Sequence, residues 1–254
     1  MFCKSKSTQV TNIMEVKIAK PFYFKQFTVQ QDRCAMKIGT DGVLLGAWAE
    51  VSGAQQVLDI GAGSGVIALM LAQRTETAQI HAVEVDAEAY GQACENVEAT
   101  PWADRVHVFH APIQDFTQTS GDQYDLIVSN PPFFSGGTFS ASQDRNSVRH
   151  TIKLPHGDLL QAVRKLLSAA GSFCVVLPLI EGLRFAELAQ DYHLFCTKMT
   201  EVRPKTDKPV ERLLMQFQAN PRPLLKDSLV VQHEERNDWT EEYIKLTGEF
   251  YLKM

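Results

Sequence analysis

From residue 55 onward, short apolar runs alternate with helix-length segments. Val57-Leu58-Asp59-Ile60 is strand-sized, as are residues 79–85, 105–110, 124–129 and 172–177, and these runs are rich in β-branched and aromatic side chains. Between them, residues 66–74, 87–99, 155–169 and 181–190 carry helical spacing. Apolar strands separated by helices predict an α/β fold with a mostly parallel, doubly wound sheet covered on both faces. Connections in such a sheet are right-handed. Two later strands, near 193–202 and at 212–218, are joined by 203–211 with no helix between them. That predicts an antiparallel pair at one edge. Residues 239–251 have helical spacing again, with Asp238 or Thr240 as the cap.

Ahead of this alternation the pattern differs. Residues 1–19 read as a loose arm. Residues 22–29, FYFKQFTV, are aromatic and β-branched and predict a strand or hairpin. Thr40-Asp41-Gly42 opens a short helix, with Thr40 or Asp41 as its N-cap. Residues 1–50 are thus an arm, a hairpin and a capping helix packed on a core of residues 51–254, in one globular domain. Residues 135–147, SGGTFSASQDRNS, predict a polar loop.

Composition narrows the class. The 254 residues are 44% hydrophobic and 22% charged, which excludes a disordered chain and a small disulfide scaffold. No apolar run reaches the roughly 18 residues of a membrane helix, and no secretory signal is visible at the N-terminus. The five cysteines are scattered, as expected of reduced thiols in a cytosolic protein, and their spacing suggests no metal site. The net charge of -5 disfavours nonspecific binding to nucleic acid. Its distribution is uneven, however. Residues 1–40 hold seven basic side chains against two acidic ones. Lys198, Arg203, Lys205, Lys208 and Arg212 form a second basic patch, interrupted by acids, and Arg145, Arg149 and Lys153 a third.

The first chemical signal is Asp59-Ile60-Gly61-Ala62-Gly63-Ser64-Gly65, between a strand and a helix. Glycines there let backbone turn tightly and approach a ligand. The spacing is GxGxG, with Val66 where the dinucleotide fingerprint needs its third glycine, and no Lys-Ser or Lys-Thr pair makes a phosphate loop. Glu84 ends the next strand, about 20 residues on, where a carboxylate accepts ribose hydroxyls. Asp59 holds a positive ligand group or a water that binds one, and it repels a pyrophosphate. Asp115, after the third strand, is placed to accept from an adenine amino group. Each carboxylate alone also reads as a solvated loop residue or helix cap. Together, at successive strand ends, they favour an adenosine that carries an amine.

The second signal is Asn130-Pro131-Pro132-Phe133, directly after the strand at 124–129. Strand carboxyl ends are where open α/β sheets bind ligands. Two prolines fix the backbone and remove N–H donors. The Asn130 side-chain oxygen and the Pro131 carbonyl remain as acceptors for the two N–H bonds of a planar amine, and Phe133 offers a face for stacking. Residues 55–177 therefore resemble class I S-adenosylmethionine-dependent methyltransferases with a Rossmann-like fold, and NPPF resembles the motif of those that methylate exocyclic or amide nitrogens. The segments FKQF at 24–27, DRCAMKIGTDG at 32–42, LLGAW at 44–48, FCVVLP at 173–178 and FYL at 250–252 resemble the bacterial tRNA1(Val) adenine-N6 methyltransferase family. That resemblance implies S-adenosylmethionine as cofactor and a tRNA anticodon loop as partner, the target being N6 of an adenosine beside the anticodon. It adds Lys37 and Thr40 on the cofactor side and makes 51–254 the methyltransferase domain. The expected reaction is direct in-line transfer with no metal, with the arm and basic patches gripping phosphates. No dedicated base stands out, since His150 and His156 each read as structural. Guanine N2 of rRNA and a protein glutamine amide are alternatives within the same chemistry. A nicotinamide oxidoreductase leaves NPPF unexplained, and a non-catalytic RNA-binding module leaves the cofactor loop unexplained.

Overall fold

A computed structural model describes residues 19–132 and 154–254. The chain enters through a small antiparallel hairpin of β1 (Phe22–Tyr23) and β2 (Thr28–Val29), then forms α1 (Thr40–Trp48). The alternation follows: β3 (Gln56–Ile60), α2 (Val66–Arg74), β4 (Gln79–Glu84), α3 (Ala87–Glu98), β5 (Val106–His110), α4 (Ile113–Thr119) and β6 (Tyr124–Ser129). After residue 154 come α5 (His156–Leu166), β7 (Leu167–Pro178), α6 (Leu179–Asp191), β8 (Phe195–Lys205), β9 (Arg212–Gln218), β10 (Leu225–Gln232) and α7 (Glu241–Thr247).

Eight strands form one sheet in the order β10-β8-β9-β7-β6-β3-β4-β5. β3, β4, β5, β6 and β7 run parallel, and β9 is antiparallel to both β7 and β8. The expected antiparallel pair is β8 with β9. The sheet then continues one strand further, because β10 adds in parallel to the outer side of β8. The sequence pattern had not marked β10, whose first four residues are Leu-Lys-Asp-Ser and all exposed. Charges on an outermost strand discourage pairing with another chain.

Successive side chains of a strand point to opposite faces. Leu126, Val128, Cys174, Val176 and Leu214 therefore enter one core with α1, α2, α7 and the hairpin. Ile127, Phe173, Val175, Leu177, Leu213 and Phe217 enter the other with α5 and α6. Both faces are covered, which is why these strands read as unbroken apolar runs.

Two local expectations are corrected. The N-cap of α1 is Gly39, without a side-chain cap, so Thr40 is the first helical residue. Asp41 is drawn instead to Arg212 at the start of β9, 2.9 Å away. The C-terminal helix is shorter than its spacing suggested. Thr240 caps it as expected, its hydroxyl accepting from the Tyr243 N–H. Beyond Gly248 the chain joins the hairpin: Phe24 bridges Tyr251, and the Lys25 N–H donates to the Phe250 carbonyl at 2.8 Å. Cys34, Cys94, Cys174 and Cys196 are free thiols.

Candidate active site

The glycine turn leads from β3 into α2. Gly61, Gly63 and Gly65 have φ of +75°, +56° and +80°. A side chain there is strained by about 1–2 kcal/mol at each position. A Cβ built on Gly61 or Gly63 would meet no atom within 4 Å, so the turn presents an open backbone face. At Gly65 the same Cβ would lie 3.5 Å from Ala93, so this glycine also sets how closely α3 approaches. The Gly61 and Ala62 N–H groups donate to the Val83 carbonyl, at 2.9 and 3.1 Å.

Asp59 is wholly buried, and no part of it lies on the surface of the turn. One carboxylate oxygen accepts from the Ala68 N–H at 3.2 Å and so ties β3 to the first turn of α2. The other, Oδ1, has no partner among the described residues. Burial pushes this carboxyl up to about 7, with the Ala68 hydrogen bond opposing the shift and the Glu84 charge adding to it. Glu84 is only 8% exposed. Its carboxylate accepts from the Gly63 N–H at 2.8 Å and from the Val85 and Asp86 N–H groups at 2.8 and 2.9 Å. A carboxylate offers about four acceptor positions, so the chain itself occupies most of them. Beside it Val85 is 54% exposed, an apolar surface that the sequence pattern did not single out. Asp115 lies one strand further along the rim, exposed in the first turn of α4.

Asn130 follows the end of β6. Ile60 and Ser129 are register partners, and the buried Ser129 hydroxyl donates to the Ile60 carbonyl at 2.8 Å. The glycine turn and Asn130 therefore leave adjacent strands at the same height. The Asn130 Oδ1 is buried with no partner among the described residues. Such an orphan acceptor costs about 1–3 kcal/mol. Pro131 is buried and Pro132 half-buried. Phe133, His150, Arg145, Arg149 and Lys153 lie outside the described residues. A Cβ on Gly42 of α1 would sit 3.8 Å from the Asn130 Nδ2 and from side-chain carbons of Val66 and Ile67. Helix α1, the start of α2 and the end of β6 thus converge on Asn130. Thr40 is exposed at the start of α1.

Lys37 is exposed, and its ammonium donates to the Gln31 and Cys34 carbonyls at 2.6 and 2.8 Å, closing the loop that leads into α1. That loop docks on α3 through Gln92, Glu95 and Asn96, which carried no motif. The Gln92 carbonyl oxygen accepts from the Arg33 N–H at 2.9 Å, and its amide donates to Asp32 at 2.6 Å. Arg33 pairs with Glu95. Asn96 holds Gln30. Polar residues buried in mid-helix have no sequence signature beyond breaking the apolar stripe. His156 packs edge-on against Phe185, and burial holds its imidazole below the usual value, in keeping with a structural role. In the basic patch at 198–212, Arg203 meets Glu201 at 3.4 Å and Lys208 meets Asp207 at 3.5 Å, while Arg212 meets Asp41 of α1.

The sequence matches the methyltransferase small domain family over residues 37–177. Proteins named tRNA1(Val) (adenine(37)-N6)-methyltransferase from Flavobacterium johnsoniae and Trichodesmium erythraeum are 46% and 47% identical to it, covering 92% and 91% of this chain and 100% and 98% of their own. One from Cronobacter sakazakii is 47% identical over 92% of this chain and 95% of its own. The chain belongs to this methyltransferase family. Among solved structures, a protein described as a predicted O-methyltransferase from Agrobacterium tumefaciens has a TM-score of 0.64 at 16% identity, covering 83% of this chain and 96% of its own. The CcbJ methyltransferase from Streptomyces caelestis has a TM-score of 0.53 at 12% identity, covering 72% and 91%. Those likenesses speak for the fold, a Rossmann-like methyltransferase sheet. In this methyltransferase both motifs, DIGAGSG and NPP, stand at the carboxyl ends of neighbouring parallel strands.

Proposed function

We propose that this chain methylates N6 of adenine 37 in tRNA1(Val), with S-adenosylmethionine as methyl donor. Full-length relatives carry that activity in their names. The observation that carries the residue-level reading is the buried, unpartnered Asn130 Oδ1 beside an open glycine turn. An exocyclic amine has two N–H bonds and needs acceptors held in place, and Asn130 with the Pro131 carbonyl supplies two.

The residues around the turn fit the methyl donor. Gly61, Gly63 and Gly65 leave room for backbone approach, Val85 offers an apolar surface for the base, and Glu84 keeps a carboxylate for hydroxyls. Asp59 ties β3 to α2 from behind the turn, Asp115 is an exposed acceptor near the base, and Lys37 and Thr40 belong to the loop and helix start on the cofactor side. When bound, the donor supplies an electrophilic methyl group on a sulfonium. The chain's own work is then orientation and exclusion of water. Asn130 and Pro131 hold the amine with its lone pair free for attack, Pro132 stiffens the strand exit, and Phe133 stacks on the base. The target base must leave its stack, which costs least in an unpaired loop, and this favours the anticodon loop. The proton leaves the nitrogen during or after transfer, to solvent. A tRNA substrate supports a cytoplasmic reading.

The test is to incubate the protein with radiolabelled S-adenosylmethionine and total tRNA from a strain lacking the enzyme. Label in one valine tRNA, lost when adenine 37 is replaced, is the expected result. Label found only on rRNA or protein would reject the substrate.

A further inference from the structure

A turn built on three left-handed glycines does not hold its own shape. Glycine is the most permissive residue, so the sterics that fix other turns are missing here. One bond closes inside the turn, from the Gly65 N–H to the Ala62 carbonyl at 2.9 Å, and bonds from outside must hold the rest. Val83 holds Gly61 and Ala62, and Glu84 holds Gly63. The Ser64 carbonyl is held by Asn96 alone among the described side chains, its Nδ2 donating at 2.9 Å.

Asn96 is 2% exposed on α3. The same Nδ2 donates to the Gln30 carbonyl at 2.9 Å, and the Asn96 Oδ1 accepts from the Gln30 N–H at 2.8 Å. One amide thus joins the middle of the glycine turn to the loop that carries Lys37 and runs on into α1. We infer that Asn96 is a positioning residue for the methyl donor: it locks the Ser64 peptide between Gly63 and Gly65 and keeps the turn in its binding shape before the ligand arrives. The inference rests on the proposed function for the identity of the ligand. Order imposed in the free protein is order that binding need not create, so losing it weakens binding. The ground state and the transition state feel that loss alike, so the KM for the donor rises while kcat holds.

The experiment compares Asn96→Ala and Asn96→Asp with Thr240→Ala. Thr240 is an equally buried cap on α7, bonded to Val230 and Tyr243, and serves as a control for general destabilisation. Binding of S-adenosylhomocysteine is measured by calorimetry, and KM and kcat by methyl transfer. Asn96→Ala is expected to raise Kd and the donor KM about tenfold, with kcat and the tRNA KM within about twofold. Asn96→Asp keeps the volume but loses both donors and sets a charge against two carbonyls, so it should bind at least as weakly. Thr240→Ala should melt earlier and bind normally. In the unaltered, ligand-free protein, the Gly63 and Gly65 amides should exchange slowly with solvent hydrogen, a reading that needs no variant to fold. Unchanged Kd in folded Asn96 variants, an equal loss in Thr240→Ala, or fast exchange at those amides would each overturn the inference. Wild-type protein that bound no S-adenosylhomocysteine would instead reject the proposed function beneath it.

Discussion

Asn130 and Asp59 each keep one buried oxygen without a partner among the described residues, for different reasons. The Asn130 acceptor stands where two strand ends and α1 meet, and in the proposed reaction it is the group that receives the substrate amine. Asn130→Ala should lower kcat by about 100-fold or more while leaving Kd for S-adenosylhomocysteine within about twofold, measured by single-turnover transfer and calorimetry. Asp59 is a buried acid, and its pH dependence follows from burial. In the unfolded chain a carboxyl titrates near 4, whereas in the fold it titrates at about 7. The folded state therefore binds the proton more tightly. This group's contribution to stability is full below about pH 4, declines as pH rises toward 7, and is flat beyond, with a ceiling of about 4 kcal/mol. Asp59→Asn removes that limb. Its melting temperature relative to wild type should rise between pH 5 and pH 8, and a constant difference would show that Asp59 does not titrate there. The residue types and spacings of both motifs were legible in the chain because strand-end chemistry is local. The orphan state of the two oxygens was not, because it depends on which neighbours arrive from elsewhere in the sequence.

Among the elements, α1 does the most joining. It lies against α2, receives Arg212 of β9 at Asp41, and brings Gly42 to Asn130. Arg74 of α2 donates to the Gly46 and Ala49 carbonyls at 2.8 and 2.6 Å, closing the end of the helix. The helices approach so closely because Gly46 has no side chain: a Cβ there would lie 2.8 Å from the Met70 Sδ and 3.1 Å from its Cβ. Gly46→Ala gains about 1 kcal/mol of helix propensity but overpacks the contact with Met70 at about 1–3 kcal/mol. The expected net is a loss of up to about 2 kcal/mol, seen as a lower urea midpoint at unchanged slope. Helix α2 and strands β6 and β9 were read from the sequence with their bounds intact, since long apolar periodicity specifies them. Helix α4 and strand β10 were missed. One is two turns long and the other half polar, so neither has enough periodic signal to stand above its neighbours.

At the scale of the whole molecule, the two ends of the described chain close on each other. Phe24 stacks on Phe27, Phe27 meets Trp102 edge-on, and Phe22 and Phe24 reach Tyr251. Phe250 is 2% exposed within the same core as α1 and α2. Phe250→Ala should cost about 3–5 kcal/mol, because the cavity opens between elements that cannot collapse independently. A thermal melt checks this, and a shift of less than about 2 °C would mean that the C-terminal segment is not part of the cooperative unit. The charge pattern also changes meaning at this scale. In the cluster at 198–212, Arg203 and Lys208 meet neighbouring carboxylates and Arg212 meets Asp41 of α1.

The sequence by itself determined the class of fold, the order of its strands and helices up to the antiparallel pair apart from α4, and the two motifs at strand ends, because periodicity and glycine-proline chemistry act over a few residues. Tertiary structure alone decided that Gly42 meets Asn130, that Asp41 serves Arg212 rather than a helix end, that Gln92 and Asn96 hold the entry loop on α3, and that Asn96 joins that loop to the glycine turn. Each of those contacts joins residues far apart along the chain, and a buried polar side chain acquires its role only when packing removes water and leaves it one partner.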